Sequence, residues 1–535
     1  MKLKISFCVF SLIFCLTTFA QDWKTYPYSP NGSLISFSTD EGRHTTQPIE
    51  WWYTSGHITG TTSGKDYSYM LTYFYYPASI FDGFRILNIT DHSTGEFYQD
   101  VKPVNYTNLS TTNLDIAAHV YTEGTDTWTN KLDGSNAIIP FEYVISAASS
   151  IGSLNLEYET LKRPLILGND GYLDQGLNNY TYYYSQTKNA VTGTLTLNGT
   201  TESVTGTSWI DRQYGDFNPL TGEKYEWFCL QLSNGMDINL WNVFTNTRAI
   251  PDTDKYKILA AYVDESTQYT TSDFQIERLA FNWMQDNAMC YSKQWKLTSA
   301  LHNINLTITV AHDNTEVQLP FRFFEGSISI TGTVDGVTVT GLGFAELLHS
   351  YENPEVSFVS PNGGVYDTAM PISWQLNNPD DGRPIYYDLE YSIDNQVTFI
   401  PIAQNITTNS YTWNNPPLSN GDEVWFKLTA HSVDAVLTNQ IITASSSTTT
   451  LGISDANAFN VKVFPNPVEQ QLTLQFPYQL SDAYGKIIDI QGRLVKAFKI
   501  NSDVFVIDTK FLKSGLYYLK LDSNGKHSAI KFIKK

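Results

Sequence analysis

Three acidic residues of this 535-residue chain stand beside aromatic rings. Glu50 opens the run Glu50-Trp51-Trp52-Tyr53, followed by Gly56 and His57. Asp211 lies between Trp209 and the pair Arg212 and Tyr214, and Glu346 follows Phe344 by two residues. A carboxylic acid among apolar rings has its pKa raised by desolvation, so it can hold a proton near neutral pH and donate it. Ring faces stabilise a cation through their quadrupole. Asp211 is the first candidate for such a proton donor, with Glu50 and Glu346 behind it. Arg212 either orients a carboxylate or keeps one ionised, which would disable it as an acid. Trp51, Trp52, Tyr53, Trp209 and Tyr214 would shape the pocket, with His57 at its edge. The same residues also suit a purely structural task, in which Glu50, Asp211 and Arg212 form a buried ion-pair network that pins the fold. No histidine or cysteine spacing matches a metal site, and no Gly-x-Ser-x-Gly elbow is present, so neither a metal nor a cofactor is expected.

The elements that must hold these residues read as β-strands. In residues 66–76, Tyr67, Tyr69, Leu71, Tyr73 and Tyr75 share one face of a period-two pattern. Residues 227–244 read as two strands around Asn234-Gly235, the signature of a type I′ hairpin. Residues 191–211 are echoed by 330–346: each runs aliphatic-Thr-Gly-Thr, a glycine turn, Val-Thr-Gly, an aromatic residue and then an acid. On that register Trp209 matches Phe344 and Asp211 matches Glu346. Two related β units are expected, each closed by a hairpin that carries an acid.

The chain opens with Lys2 and Lys4, an apolar run from Ile5 to Leu16 and a small-residue exit. This is the layout of a secretory signal peptide, expected to end at Ala20. No later stretch is apolar enough to cross a membrane as a helix. The formal net charge is −20, which argues against nucleic acid as a partner. Beyond the signal only Cys229 and Cys290 remain, and an exported protein could leave them free or join them. Residues 355–444 show short alternating segments with Trp374 and Trp425 as core candidates, resembling an immunoglobulin or fibronectin type III module. Residues 445–458 read as a linker. Residues 459–535 carry four ordered submotifs, from VKVFPNPVEQQLTLQF to the terminal IKFIKK, that resemble the C-terminal sorting domain of type IX secretion. That likeness implies passage through the type IX machinery, then release or attachment at the cell surface.

Glu50-Trp51-Trp52-Tyr53-x-x-Gly56, Trp209-x-Asp211-Arg212-x-Tyr214-Gly215 and Gly341-x-Gly343-Phe344-x-Glu346-Leu347 together resemble the carotenoid 1,2-hydratase (hydroxyneurosporene synthase) family and its AttH-like relatives. Tyr214 stands where that family has a second tryptophan, and Phe344 where it has a tyrosine. The resemblance implies an all-β chain with two tandem lipocalin-like barrels, at 35–217 and 218–351. It also implies acid-catalysed hydration or isomerisation of an apolar, polyunsaturated small molecule. Two readings from other classes stay open, a non-catalytic carrier of lipids or pigments and a surface interaction protein.

Overall fold

A computed structural model describes residues 22–535 except 79, 217–220, 319–320, 450–460, 478–482 and 524–525, so the expected signal peptide lies outside the described residues. The described chain is built of strands with short 3-10 turns. It divides into two compact units. One comprises residues to Val356 with Leu376–Tyr387 and Thr429–Asn439, the other Ser357–Gln375, Asp388–Leu428 and Gln440–Lys535.

In the first unit, strands β1 (Ile49–Gly60), β2 (Asp66–Ala78), β3 (Phe81–Asp91) and β4 (Glu96–Leu109) form an antiparallel meander. It continues through β5 (Asp115–Val120), β6 (Gly124–Leu132), β7 (Ile138–Ser149) and β8 (Gly152–Thr160). Two short strands, β9 (Leu165–Ile166) and β10 (Tyr172–Gln175), precede the long β11 (Asn179–Leu197) and β12 (Thr200–Asp216). Because β12 pairs with β1 and β11 with β8, ten strands close into a barrel with no free edge in the ring. The alternation read from residues 66–76 holds: Tyr67, Tyr69, Leu71 and Tyr73 point inward and fill the barrel with Trp52 and Trp128.

A second sheet follows, with β13 (Lys224–Leu232), β14 (Asp237–Phe244), β15 (Lys257–Asp264), β16 (Thr267–Thr271) and β17 (Gln275–Trp283). Its remaining strands are β18 (Cys290–Ser299), β19 (Ile304–Val310), β20 (Glu316–Val317), β21 (Phe323–Val334) and β22 (Val337–Leu347). This sheet curls into a half-barrel: among the described residues β16 and β17 are its unjoined edges. Phe228, Leu240, Trp295, Ile308 and Ile330 are among the side chains that fill its concave face.

The echo between 191–211 and 330–346 is structural. β11–β12 and β21–β22 are matching hairpins closed by two-residue turns, Asn198-Gly199 and Asp335-Gly336, with positive φ at all four residues. These are the type I′ turns that match strand twist. Asn234-Gly235 differs from the expectation. Only Gly235 takes positive φ (93°), and Leu232 N–H donates to Met236 O, giving a three-residue loop with a left-handed glycine. Within the repeat, Gly193 and Gly332 occupy equivalent places at φ +151° and +153°. A Cβ there would lie 2.1 Å from the carbonyl oxygen of Asn155 or Asn305 on the neighbouring strand. Gly193→Ala and Gly332→Ala are therefore each expected to destabilise the first unit by about 1–3 kcal/mol, read by chemical denaturation.

Between 356 and 449 short strands form two sheets with Trp374, Tyr387, Leu389 and Phe426 buried. Trp425 is a correction. Val424, Phe426, Leu428 and Ala430 take the inward positions of their strand, which turns Trp425 to the other face, where it is only half-buried. Part of the expected linker is likewise strand: Ser446–Thr449 pairs on both sides, with Ser446 and Thr448 buried, while 450–458 lies outside the described residues. From Lys462 to Lys534 a three-stranded and a four-stranded sheet enclose Leu472, Leu474, Ile487, Leu519 and Phe532. Among the described residues no helix is long and apolar enough to cross a membrane. Cys229 and Cys290 are free and buried in different apolar clusters.

Candidate active site

Strand alternation sorts the expected site residues into two groups. On β1, Glu50 and Trp52 point to the barrel side, whereas Trp51 and Tyr53 face the half-barrel. On β12, Ile210 and Arg212 turn to the barrel side, and Trp209 and Asp211 turn away. Arg212 and Asp211, adjacent in sequence, therefore do not meet.

The first group is a buried ion-pair node in which the Glu50 carboxylate meets several donors. Glu50 has no exposed surface, and its carboxylate accepts from the guanidinium groups of Arg43 and Arg212, from His44 N–H (2.8 Å) and at 3.2 Å from His44 Nδ1. Burial alone would raise its pKa, but Arg212 and His44 outweigh it and hold Glu50 below the ordinary carboxylate range. Arg212 also donates to the carbonyls of Gly42, Trp51 (3.2 Å) and Gln213 (3.1 Å), and lies 4.0 Å above the Trp52 ring. Tyr214 stacks on His44 at 3.5 Å. An acid held this firmly in its ionised form has no proton to give.

The second group lies between the barrel and the half-barrel, in an apolar cluster drawn from both that includes Tyr53, Tyr183, Trp209, Trp227, Trp241 and Phe344. Asp211 is 2 % exposed. Its carboxyl accepts from Tyr183 Oη (2.5 Å) and Trp209 Nε1 (2.6 Å), and Ser185 adds a further hydrogen bond. Among the described residues no lysine or arginine lies within salt-bridge distance of it. Burial pushes Asp211 up from 3.8 to about 7, against the pull of those donors and with a small contribution from Glu346. Asn239 of β14 fixes the geometry from the other half, donating to Tyr183 Oη (3.0 Å) and Ser185 Oγ (3.1 Å) and accepting from Trp227 Nε1 (3.2 Å).

Glu346 occupies the place on β22 that Asp211 occupies on β12. Asp211 stands opposite Tyr53 and Ser185, and Glu346 opposite Trp227 and Glu325. Tyr53 and Trp227, the two equivalents, meet edge to face at 5.2 Å. Tyr225 Oη donates to Glu346, which keeps partial exposure together with Tyr225 itself. Glu325 is 1 % exposed and accepts from Tyr53 Oη at 2.9 Å across the boundary. Desolvation raises both glutamates, Glu325 the further.

The sequence reading missed Glu325. The repeat carried no signal for it: Glu325 lies before the echoed segment, and its structural counterpart is the neutral Ser185. His57 is adjacent to this group without touching the acids. It pairs with Ser327 Oγ at 2.7 Å, and burial pushes it down to about 3, so it is neutral over the physiological range. Trp51 packs at the rim against Phe74. Among the described residues no three histidine, cysteine or acidic side chains form a group that could hold a metal ion.

Residues 28–351 match the family described as AttH-like, and residues 462–535 match the secretion system C-terminal sorting domain. The crystal structure of an AttH protein from Nitrosomonas europaea is similar over 61 % of this chain and 99 % of that one, at 20 % identity and TM-score 0.50. Kievitone hydratase from Nectria haematococca is similar over 61 % and 98 %, at 17 % identity and TM-score 0.49. At 20 % identity, the likeness to the AttH protein shows the fold alone. No curated protein matches the chain. The sorting domain marks the chain for type IX secretion, to the cell surface or beyond it.

Proposed function

This chain belongs to the AttH-like family, and on that footing we propose that it adds water to, or isomerises, a carbon–carbon double bond of an apolar, polyunsaturated molecule held between barrel and half-barrel. The observation that carries this reading is Asp211: a buried carboxyl with no cation at salt-bridge distance among the described residues, oriented by Tyr183 and Trp209, that titrates about 7 and so is available as a proton donor near neutral pH. Protonating an alkene carbon leaves a carbocation, and the rings of Tyr53, Trp209, Trp227 and Trp241 offer it their faces. Glu50 and Arg212 then hold the barrel end and take no part in the chemistry.

Barrel and half-barrel are filled by their own side chains, so on this reading the guest would part the ring-lined layer between them, next to the partly exposed Glu346 and Tyr225. Organic extraction of the exported protein followed by mass spectrometry is expected to recover an apolar unsaturated molecule, and lycopene to quench tryptophan emission saturably. Incubated lycopene is expected to gain one water or to shift a double bond. Absence of extract, quenching and product together would sink the proposal.

A further inference from the structure

We infer that Glu325 keeps its proton and donates it to Glu346, which makes Glu346 the base that takes a proton from the attacking water. This rests on the hydration reading of the same site. The geometry is that of a pair. The two residues are direct cross-strand partners on β21 and β22, which sets two buried carboxyls side by side with no cation at salt-bridge distance among the described residues. Two neighbouring buried carboxyls with no counter-charge favour holding one proton between them. Each outer side is closed by a tyrosine, Tyr53 on Glu325 and Tyr225 on Glu346. Glu325 Oε2 is buried with no hydrogen-bond partner among the described residues, as a protonated oxygen facing the neighbouring carboxyl would be.

The groups that face the pair are Tyr53 from β1, Asp211 from β12, and Tyr225 and Cys229 from β13. Among the described residues none at salt-bridge distance is a lysine or arginine. Burial opposes charge on both acids, so the pair loses one proton before the other. Glu346 yields first, because it is the partner that keeps partial exposure, whereas Glu325 is 1 % exposed.

The bookkeeping of atoms then closes. The Asp211 O–H bond breaks and a C–H bond forms with the alkene electrons, leaving a cation on the neighbouring carbon. The water oxygen attacks that carbon, and its proton passes to the Glu346 carboxylate. Glu346 releases the proton to solvent at its exposed edge, Asp211 takes one up, and the net change is one water added.

Infrared difference spectroscopy of the full chain across a pH titration tests the pair without any substrate. Carboxyl bands lost in Glu346→Gln assign Glu346. Glu325→Gln, whose amide still donates, is expected to delete the higher titration and leave the Glu346 midpoint near its place. Glu325→Leu removes the donor and is expected to raise that midpoint by about one pH unit or more. A Glu346 midpoint that Glu325→Leu leaves in place overturns the pairing. So does a higher titration that survives Glu325→Gln, the nearly isosteric variant that serves should the leucine variant not fold. With lycopene as probe, Glu346→Gln is expected to lose at least about a hundredfold in kcat with quenching retained, and unchanged turnover overturns the base assignment. An intact pair in a wild-type protein that leaves lycopene untouched counts against hydration and not against the pair.

Discussion

Asp211→Asn is expected to lower turnover by about two to four orders of magnitude while leaving saturable tryptophan quenching by an apolar probe intact. The amide fits the same space and can still meet Trp209 and Tyr183, but it has no acidic proton to deliver. The same substitution has a second signature that needs no substrate. Asp211 ionises near its ordinary value of 3.8 when unfolded and at about 7 when folded. Folding therefore takes up a proton between those values. The associated stability is complete below about pH 4 and is lost as pH rises through about 7. A gap of roughly three units corresponds to about 4 kcal/mol between the ends of that window. Asp211→Asn should flatten this part of the stability–pH curve, so that the variant gains on the wild type above neutrality. Turnover of the wild type should fall as pH rises through about 7, where the folded donor loses its proton. Denaturation curves and rates collected from acid to mildly alkaline pH check both. A variant that unfolds throughout, or a wild-type curve with no such slope, would leave Asp211 as a packing residue.

Arg212→Ala is the opposite case. It should cost about 3–5 kcal/mol of stability, read as a fall in denaturation midpoint of the first unit. Glu50, fully buried, would keep Arg43 and His44 but lose the guanidinium that anchors it. Three backbone carbonyls would lose a donor, and the Trp52 ring its cover. Whatever activity the surviving folded fraction retains should be close to normal per molecule. A specific loss of rate in a stable Arg212→Ala protein would return Arg212 to the reacting group.

Asp211 and Glu346 could be singled out from the sequence because a repeated pattern of glycines, threonines and an aromatic residue placed an acid at the same step twice. What the linear pattern hid was facing. Asp211 and Arg212 read naturally as a pair, yet a pleated strand sends neighbours to opposite sides, and only the sheet arrangement shows which side holds counter-charges. Glu50 was uncertain for the same reason, since Arg43 and His44 approach it from a segment without strand periodicity. Glu325 escaped because the repeat has serine at the matching position, so its importance depends on a cross-strand partner twenty-one residues away. The ring closure through β8 and β11, and the unjoined edges of the half-barrel, depend on long-range pairing that no local window encodes. Asn234-Gly235 misled because the dipeptide fits both a two-residue and a three-residue loop, and the flanking register chose the longer.

Asp211 and Glu346 stand on outward faces of two solidly packed β walls. On the function proposed above, a guest would be held as a leaf is held between two boards, its thickness set by the few rings that meet across the seam, such as Tyr53 against Trp227. Trimming or enlarging those rings would retune which molecules are accepted without hollowing either board. Selectivity can thus drift quickly while the folding determinants inside each wall stay as they are.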